Sequence, residues 1–335
     1  MAGALLEVKN LTTRFETDRG VVRAVDDVSF TVDEGETVAL VGESGSGKSV
    51  TALSILRLIA SPPGTIESGQ VIFRGVDLLR LGEREMRSVR GAGISIVFQE
   101  PMTALNPVYR VGSQVAEAIR LHESVSRIAA KRRAIEMLEL VGIPSPKARA
   151  ESFPHELSGG LRQRVMIAMA LACKPGLLIA DEPTTALDAS VQAQVLELLK
   201  KLQGELGMGI LFITHDLGVV AEFADRIVVM YAGRIVETAP VNEAFRLPLH
   251  PYTRALLASV PPVGSSLRTD KPRRLASIDG IVPDLATLGP ECRFADRCAV
   301  RNGSPDVHSL CDREPDLRGI AEDRGVRCHY PELRE

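Results

Sequence analysis

The chain has 335 residues, 45% of them hydrophobic, and a net charge of −3. Those values exclude global disorder and leave room for one large α/β domain with a smaller appendage; the absence of a basic excess argues against a nucleic-acid footprint. No stretch reaches the roughly 18 apolar residues that cross a bilayer, and Met1 to Leu11 lacks a basic-then-apolar leader, so a soluble, cytoplasmic chain is expected.

In chain order, Thr37 to Val41 reads as a short buried strand and 48–59 as a helix. Ile94 to Phe98 is a second strand, and 111–122 and 127–141 are helices. Val165 to Cys173 is an apolar helix. Leu177 to Ala180 and Ile210 to Thr214 are buried strands. Between them, Val191, Val195, Leu198, Leu199 and Leu202 form one apolar helix face. Ile227 to Met230 and Arg234 to Val236, separated by Ala232-Gly233, read as a β-hairpin. Near residue 240 the texture changes, and prolines and arginines become denser. Pro261-Pro262 and Gly264 to Arg274 read as a linker. The expected division is therefore 1–240 and 241–335.

Gly42-Glu43-Ser44-Gly45-Ser46-Gly47-Lys48-Ser49 fits the G-x-x-x-x-G-K-[ST] phosphate loop, and it stands between a strand and a helix as that loop must. Glycines let backbone N–H groups face phosphate oxygens, and the helix N-terminus adds a favourable dipole. Lys48 is expected to reach the β- and γ-phosphates and the Ser49 hydroxyl to ligate Mg²⁺. Ser44, Gly45, Gly47 and Val50 complete the expected ATP contacts. The strand Leu177 to Ala180 runs into Asp181 and Glu182. Asp181 suits Mg²⁺ held through water, and Glu182 suits polarising an attacking water.

Many ATPase classes share those features. Leu157-Ser158-Gly159-Gly160-Leu161 narrows the choice, because it resembles the LSGGQ signature of ABC ATPases. That resemblance implies a P-loop ABC-type nucleotide-binding domain of α/β class. Such a domain has a RecA-like core, an antiparallel β subdomain and a helical subdomain. It also implies roles for further residues. Gln99 resembles the Q-loop glutamine that senses Mg²⁺ and the membrane partner. Ala186-Leu187-Asp188 resembles the D-loop, and His215 the switch histidine at the γ-phosphate. Phe15 is the candidate for stacking on adenine; a core phenylalanine is its ordinary alternative. By the same resemblance, Ser158, Gly159 and Gly160 act on the ATP of a partner subunit, in a head-to-tail sandwich of two domains. Leu161 departs from the family glutamine and removes one polar contact.

Phe98 to Pro107, Phe153 to Gly160 and His250 to Leu257 resemble stretches of dipeptide and oligopeptide importer ATPases. The implied assembly is this chain, a second ATPase subunit, two transmembrane permeases and an extracytoplasmic solute-binding protein, on the cytoplasmic face of the membrane and without nucleic acid. Importers of nickel or other solutes, and soluble ABC ATPases coupled to nucleic acid, are the alternatives. Intact Glu182 argues against a module that holds ATP without turnover.

Cys292, Cys298, Cys311 and Cys328 cluster near the C-terminus with spacings x5, x12 and x16. Four thiolates suit Zn²⁺ or a [4Fe–4S] cluster. The pattern resembles peptide-importer extensions that hold an iron–sulfur cluster, which favours [4Fe–4S] in a structural role. His308 and His329 are reserve ligands. Cys173 reads as a small core residue.

Overall fold

The computed structural model describes residues 3–100, 104–185, 187–259, 278–303, 309–321 and 323–330. The expected linker at 261–274, three residues of the Q-loop stretch (101–103), Ala186 and His308 therefore lie outside the described residues. The strands are β1 (Leu6–Thr17), β2 (Gly20–Val32), β3 (Thr37–Val41), β4 (Gly64–Phe73), β5 (Val76–Asp77), β6 (Ile94–Val97), β7 (Leu177–Asp181), β8 (Gly209–Thr214), β9 (Arg226–Tyr231), β10 (Arg234–Pro240), β11 (Arg318–Ala321) and β12 (Arg324–Val326). The helices are α1 (Lys48–Ile55), α2 (Glu83–Val89), α3 (Val111–His122), α4 (Arg127–Leu140), α5 (Pro146–Arg149), α6 (Gly159–Leu171), α7 (Ala189–Leu206), α8 (Leu217–Phe223), α9 (Val241–Arg246), α10 (Pro251–Ala258) and α11 (Ala299–Gly303). No described helix is long and apolar enough to cross a membrane.

The chain forms two compact units, each assembled from separated segments. The first comprises Met1–Glu7, Thr31–Thr37 and Ile72–Ile213. In it β7 lies between β6 and β8, parallel to both, with Ile94 opposite Leu177 and Leu177 opposite Gly209. Every residue of β7 is buried. A strand covered on both faces cannot alternate apolar and polar residues, which is why Leu-Leu-Ile-Ala runs unbroken. In the helical part, α3 packs on α4 and α6 touches both. Val111, Val115 and Ile119 bury one face of α3, and Ala130, Ala134 and Leu138 one face of α4. Each set repeats every four residues, so one stripe meets the neighbour.

The second unit comprises Val8–Phe30, Val38–Val71 and Thr214–Glu335. Here β3 runs parallel to β9, with Val38 opposite Arg226. β9 and β10 form the expected antiparallel hairpin. Its two turn residues both have positive φ, 44° at Ala232 and 86° at Gly233. That is the handedness a two-residue hairpin turn needs. The hairpin is longer than the sequence pattern showed, pairing as far as Pro240 opposite Arg226. β12 then pairs with β10, and β11 with β12, both antiparallel. The C-terminal region thus extends the sheet by two strands. Its core is aromatic: the Tyr231 ring lies 4.6 Å from Tyr252 and 5.2 Å from Phe294. Tyr231 and Tyr252 are fully buried. Each such side chain contributes about 2 kcal/mol by leaving water.

Several boundaries differ from expectation. α1 stops at Ile55, not 59, because Arg57 takes a left-handed φ of 52° and Pro62 and Pro63 follow. Strand β6 omits Phe98, which is 38% exposed. α6 begins at Gly159, six residues before the apolar pattern starts, since Ser158 in extended conformation sets its N-terminus. Glycines at a helix start carry no periodic signal. Cys173 follows the end of α6 and is only half-buried, with its Sγ 3.6 Å from the Ala118 carbonyl oxygen.

His250 opens α10 and is 2% exposed. Its Nδ1 accepts the Tyr252 N–H at 3.0 Å, which only an unprotonated nitrogen can do. Burial lowers its pKa from 6.5 to about 3. The native ring stays neutral while the unfolded one takes a proton below about 6.5. Stability should therefore fall as pH drops through the window from 6.5 to 3, by about 2 kcal/mol at pH 5. His250→Asn keeps a cap acceptor and removes the titration. Urea unfolding at pH 7.5 and pH 5 should show a flatter acid limb in that variant; an unchanged limb would clear His250.

Candidate functional site

The phosphate loop lies in the second unit. Strand β3, buried at all five positions, delivers Val41 to Gly42, and α1 leaves the loop at Lys48. Two glycines are obligatory. A Cβ at Gly42 would stand 2.1 Å from the Met230 carbonyl oxygen, and one at Gly47 would stand 2.3 Å from that of Ala24. Gly47 has φ 104°, which a side chain would strain further. Lys48 is 5% exposed, and its Nζ donates to the carbonyl oxygens of Gly42 (2.8 Å) and Glu43 (3.0 Å). The ammonium therefore sits inside the curl of the loop. Ser44, Gly45 and Ser49 are exposed and Val50 is half-buried. The Ser46 hydroxyl is buried without a hydrogen-bond partner among the described residues. Phe15 on β1 is half-buried, and a Cβ at Gly64 would lie 2.9 Å from its ring. His215 is exposed just beyond β8.

The carboxylates lie in the first unit. Asp181 ends β7 at 7% exposure. Glu182 turns out of the strand with φ 46°, and its N–H donates to the Ile213 carbonyl oxygen at 2.9 Å. A non-glycine residue in that region is strained unless its surroundings hold it, and such residues gather at functional sites. Glu182 Oε2 accepts hydrogen bonds from Gln99 Nε2 at 2.8 Å and Thr185 Oγ1 at 3.0 Å. Gln99 and Glu182 are thus neighbours despite lying 83 residues apart. Thr185 was not legible as a partner in the sequence.

A third feature, also in the first unit, is a cavity of about 470 Å³ lined by Ser158, Gly159, Gly160 and Leu161 together with Leu187 and Asp188. Gly160 permits it to form: a Cβ there would meet Val191 Cγ1 at 2.8 Å, so α6 can approach α7 closely. Asp188 caps α7, its Oδ1 accepting from Ser190 Oγ (2.7 Å), Val191 N (3.0 Å) and Ser190 N (3.1 Å). The Ser190 hydroxyl and these N–H groups hold its carboxyl below the usual range. The signature and D-loop residues therefore share one surface.

The four cysteines fit a soft metal in kind but not in arrangement. All are free thiols. The Cys292 N–H donates to the Cys311 carbonyl oxygen at 2.9 Å. Burial, helped by neighbouring charges that include the other cysteines, pushes Cys292 up to about 12 and Cys328 up to about 11. Yet among the described residues no three Cys, His, Asp or Glu side chains converge to hold a metal ion. Cys328 Sγ instead accepts the Tyr330 N–H at 3.4 Å, and His329 Nε2 pairs with the Arg313 carbonyl oxygen at 2.9 Å. The four-thiolate ligand set expected from the sequence is not assembled.

A family model described as ABC transporter matches residues 25–185, and one described as oligopeptide/dipeptide transporter, C-terminal region, matches 236–304. The dipeptide transport ATP-binding protein DppD of Escherichia coli is 47% identical over 335 residues, covering 98% of this chain and 97% of DppD. The chain belongs to the ABC transporter ATPase family. The oligopeptide transport ATP-binding protein OppD of Bacillus subtilis is 57% identical over 281 residues, 84% of this chain and 77% of OppD. Among solved structures, a dimeric ATP-binding cassette in a post-hydrolysis state, bound to ADP and Pi, has a TM-score of 0.64 at 30% identity. It covers 70% of this chain and 98% of that one. The ABC cassette cbiO1 of Clostridium perfringens gives 0.61 at 27% identity, covering 72% and 91%.

Asp188 both caps α7 and lines the cavity beside Ser158, Gly159 and Gly160. Asp188→Ala removes the α7 cap and should cost about 1 kcal/mol in urea unfolding. Asp188→Ser retains a cap and should recover that stability. ATPase activity still low in Asp188→Ser would isolate the D-loop contribution; full activity would leave only the cap.

Proposed function

We propose that this chain is the ATP-hydrolysing subunit of an ABC importer for di- or oligopeptides, with 1–240 as the ATPase domain and 241–335 as the importer-type extension. The match of residues 236–304 to the oligopeptide/dipeptide transporter C-terminal region carries this reading. The names of the relatives, OppD and DppD, support it.

In this reading ATP lies against the phosphate loop through Ser44, Gly45, Gly47, Lys48, Ser49 and Val50, with Phe15 at the adenine. Ser49, Gln99 and Asp181 would hold Mg²⁺, which would supply positive charge beside the phosphate oxygens. The chain supplies a hydroxyl, an amide and a carboxylate, the hard oxygen donors that Mg²⁺ takes beside phosphate oxygens. Glu182 polarises the attacking water. Its hydrogen bonds to Gln99 and Thr185 fix the carboxylate in one orientation, so little reorganisation remains when water arrives. His215 contacts the γ-phosphate. Ser158, Gly159, Gly160 and Asp188 face the ATP of a second ATPase subunit, and two permeases complete the assembly at the membrane surface. ATP binds the closed pair better than the open pair, and hydrolysis removes that difference.

The cysteine reading remains a proposal on spacing and resemblance. Iron, sulfide and zinc analysis of anaerobically purified chain tests it. A [4Fe–4S] stoichiometry supports it, and a metal-free chain with full ATPase activity in the complex overturns it.

Glu182→Gln should lower ATP turnover of the assembled transporter about 10²–10³-fold while ATP still binds. Lys48→Ala should abolish ATP binding, read by titration with a fluorescent ATP analogue. Purification of the chain from detergent-solubilised membranes should bring two multi-span permeases and a second ATPase. Recovery of ribosomes or nucleic-acid proteins instead would remove the transport assignment.

A further inference from the structure

Glu43, inside the phosphate loop, places a negative charge where an anionic nucleotide is expected. The C-terminal region answers that charge. Arg297 grips both carboxylate oxygens, Nη1 to Oε2 at 2.7 Å and Nη2 to Oε1 at 3.0 Å. Such a two-pronged pair fixes orientation as well as charge. The Arg297 side chain is 5% exposed against 29% for Glu43. It lies over the Tyr231 ring at 5.7 Å and donates from Nε to the Asp279 carbonyl oxygen at 2.9 Å. The Tyr252 hydroxyl accepts the Glu43 backbone N–H at 2.9 Å. The loop is therefore held by side chain and backbone at the same residue, and the Glu43 carbonyl is one of the two that receive Lys48 Nζ.

The other end of the loop is braced through a second arginine. The Gly233 N–H donates to the Ser46 carbonyl oxygen at 2.9 Å. Next to Gly233, the Ala232 carbonyl oxygen accepts from Arg293 Nη1. Arg293 also pairs with Asp26, whose N–H donates to the Gly233 carbonyl oxygen at 2.9 Å. Arg293 and Arg297 both lie between Cys292 and Cys298.

We propose that Arg297, seconded by Arg293, positions the phosphate loop through Glu43, so that the segment between Cys292 and Cys298 sets nucleotide affinity. This rests on the ATP-binding reading above. Arg297 is a positioning residue: it neutralises Glu43 and fixes the carbonyl that receives Lys48. Loss of its charge leaves Glu43 facing the phosphates, and loss of its fork lets the loop carbonyl drift.

The test uses the full chain for binding of a fluorescent ATP analogue and the assembled transporter for KM and kcat, beside unfolding midpoints. Arg297→Gln should raise Kd and KM about fivefold, a larger change than any fall in kcat. Arg297→Lys keeps the charge without the fork and should raise Kd about twofold; it also serves if Arg297→Gln does not fold. Pairing Arg297→Gln with Glu43→Gln removes both charges and should bring Kd back toward wild type. A wild-type Kd in Arg297→Gln and Arg297→Lys, with only the unfolding midpoint lowered, overturns the proposal. So does a paired variant whose effects simply add. If wild type and Lys48→Ala bind the analogue alike, the ATP-binding reading itself fails. If Lys48→Ala alone loses binding, only the positioning role is lost.

Discussion

A buried ammonium inside a loop of backbone carbonyls is the constraint on which the nucleotide site depends. Lys48 is 5% exposed and donates to Gly42 and Glu43 carbonyl oxygens. A charge taken that far from water must be hydrogen-bonded, so the loop has to hold those carbonyls inward. The same curl closes with the Ser46 N–H donating to the Glu43 carbonyl oxygen at 3.2 Å. The glycines follow from the same geometry. At Gly42 and Gly47 the backbone runs against the Met230 and Ala24 carbonyl oxygens with no space for a Cβ.

The carboxylate site solves a different problem. Glu182 has to leave a fully buried strand and present its side chain at once. A left-handed φ of 46° makes that turn in a single residue. The cost is offset by the N–H bond to Ile213 and by two side-chain donors on Oε2. Asp188 illustrates the economy of such sites. One carboxylate both starts α7 and lines the signature cavity. The aspartate at this position is therefore required for helix capping whatever else it does.

The C-terminal region is joined to its unit by sheet hydrogen bonds and by an aromatic core. Tyr252 belongs to that core, packing on Tyr231, and its hydroxyl accepts the Glu43 N–H of the loop. Burial raises its pKa, the hydrogen bond to the Glu43 N–H lowers it, and burial dominates. The phenol stays protonated. Buried Glu237 accepts the Leu249 and His250 N–H groups, so the turn into α10 has its backbone donors satisfied without water.

The sequence by itself determined the phosphate loop, the strand ending in Asp181 and Glu182, the signature and the hairpin at Ala232-Gly233. Each is a local matter: glycine where no side chain fits, an unbroken apolar run where both faces are buried, small residues at a helix start. The helices at 111–122 and 127–140 were legible for the same reason, since a repeat of about four residues is written along the chain. Other features join residues far apart, and no local pattern encodes them. The Gln99–Glu182 bond spans 83 residues and the Arg297–Glu43 pair 254. Cysteine spacing suggested a ligand set, but spacing is a one-dimensional quantity. Whether the four thiols converge depends on how the chain between them folds, which only tertiary structure decides.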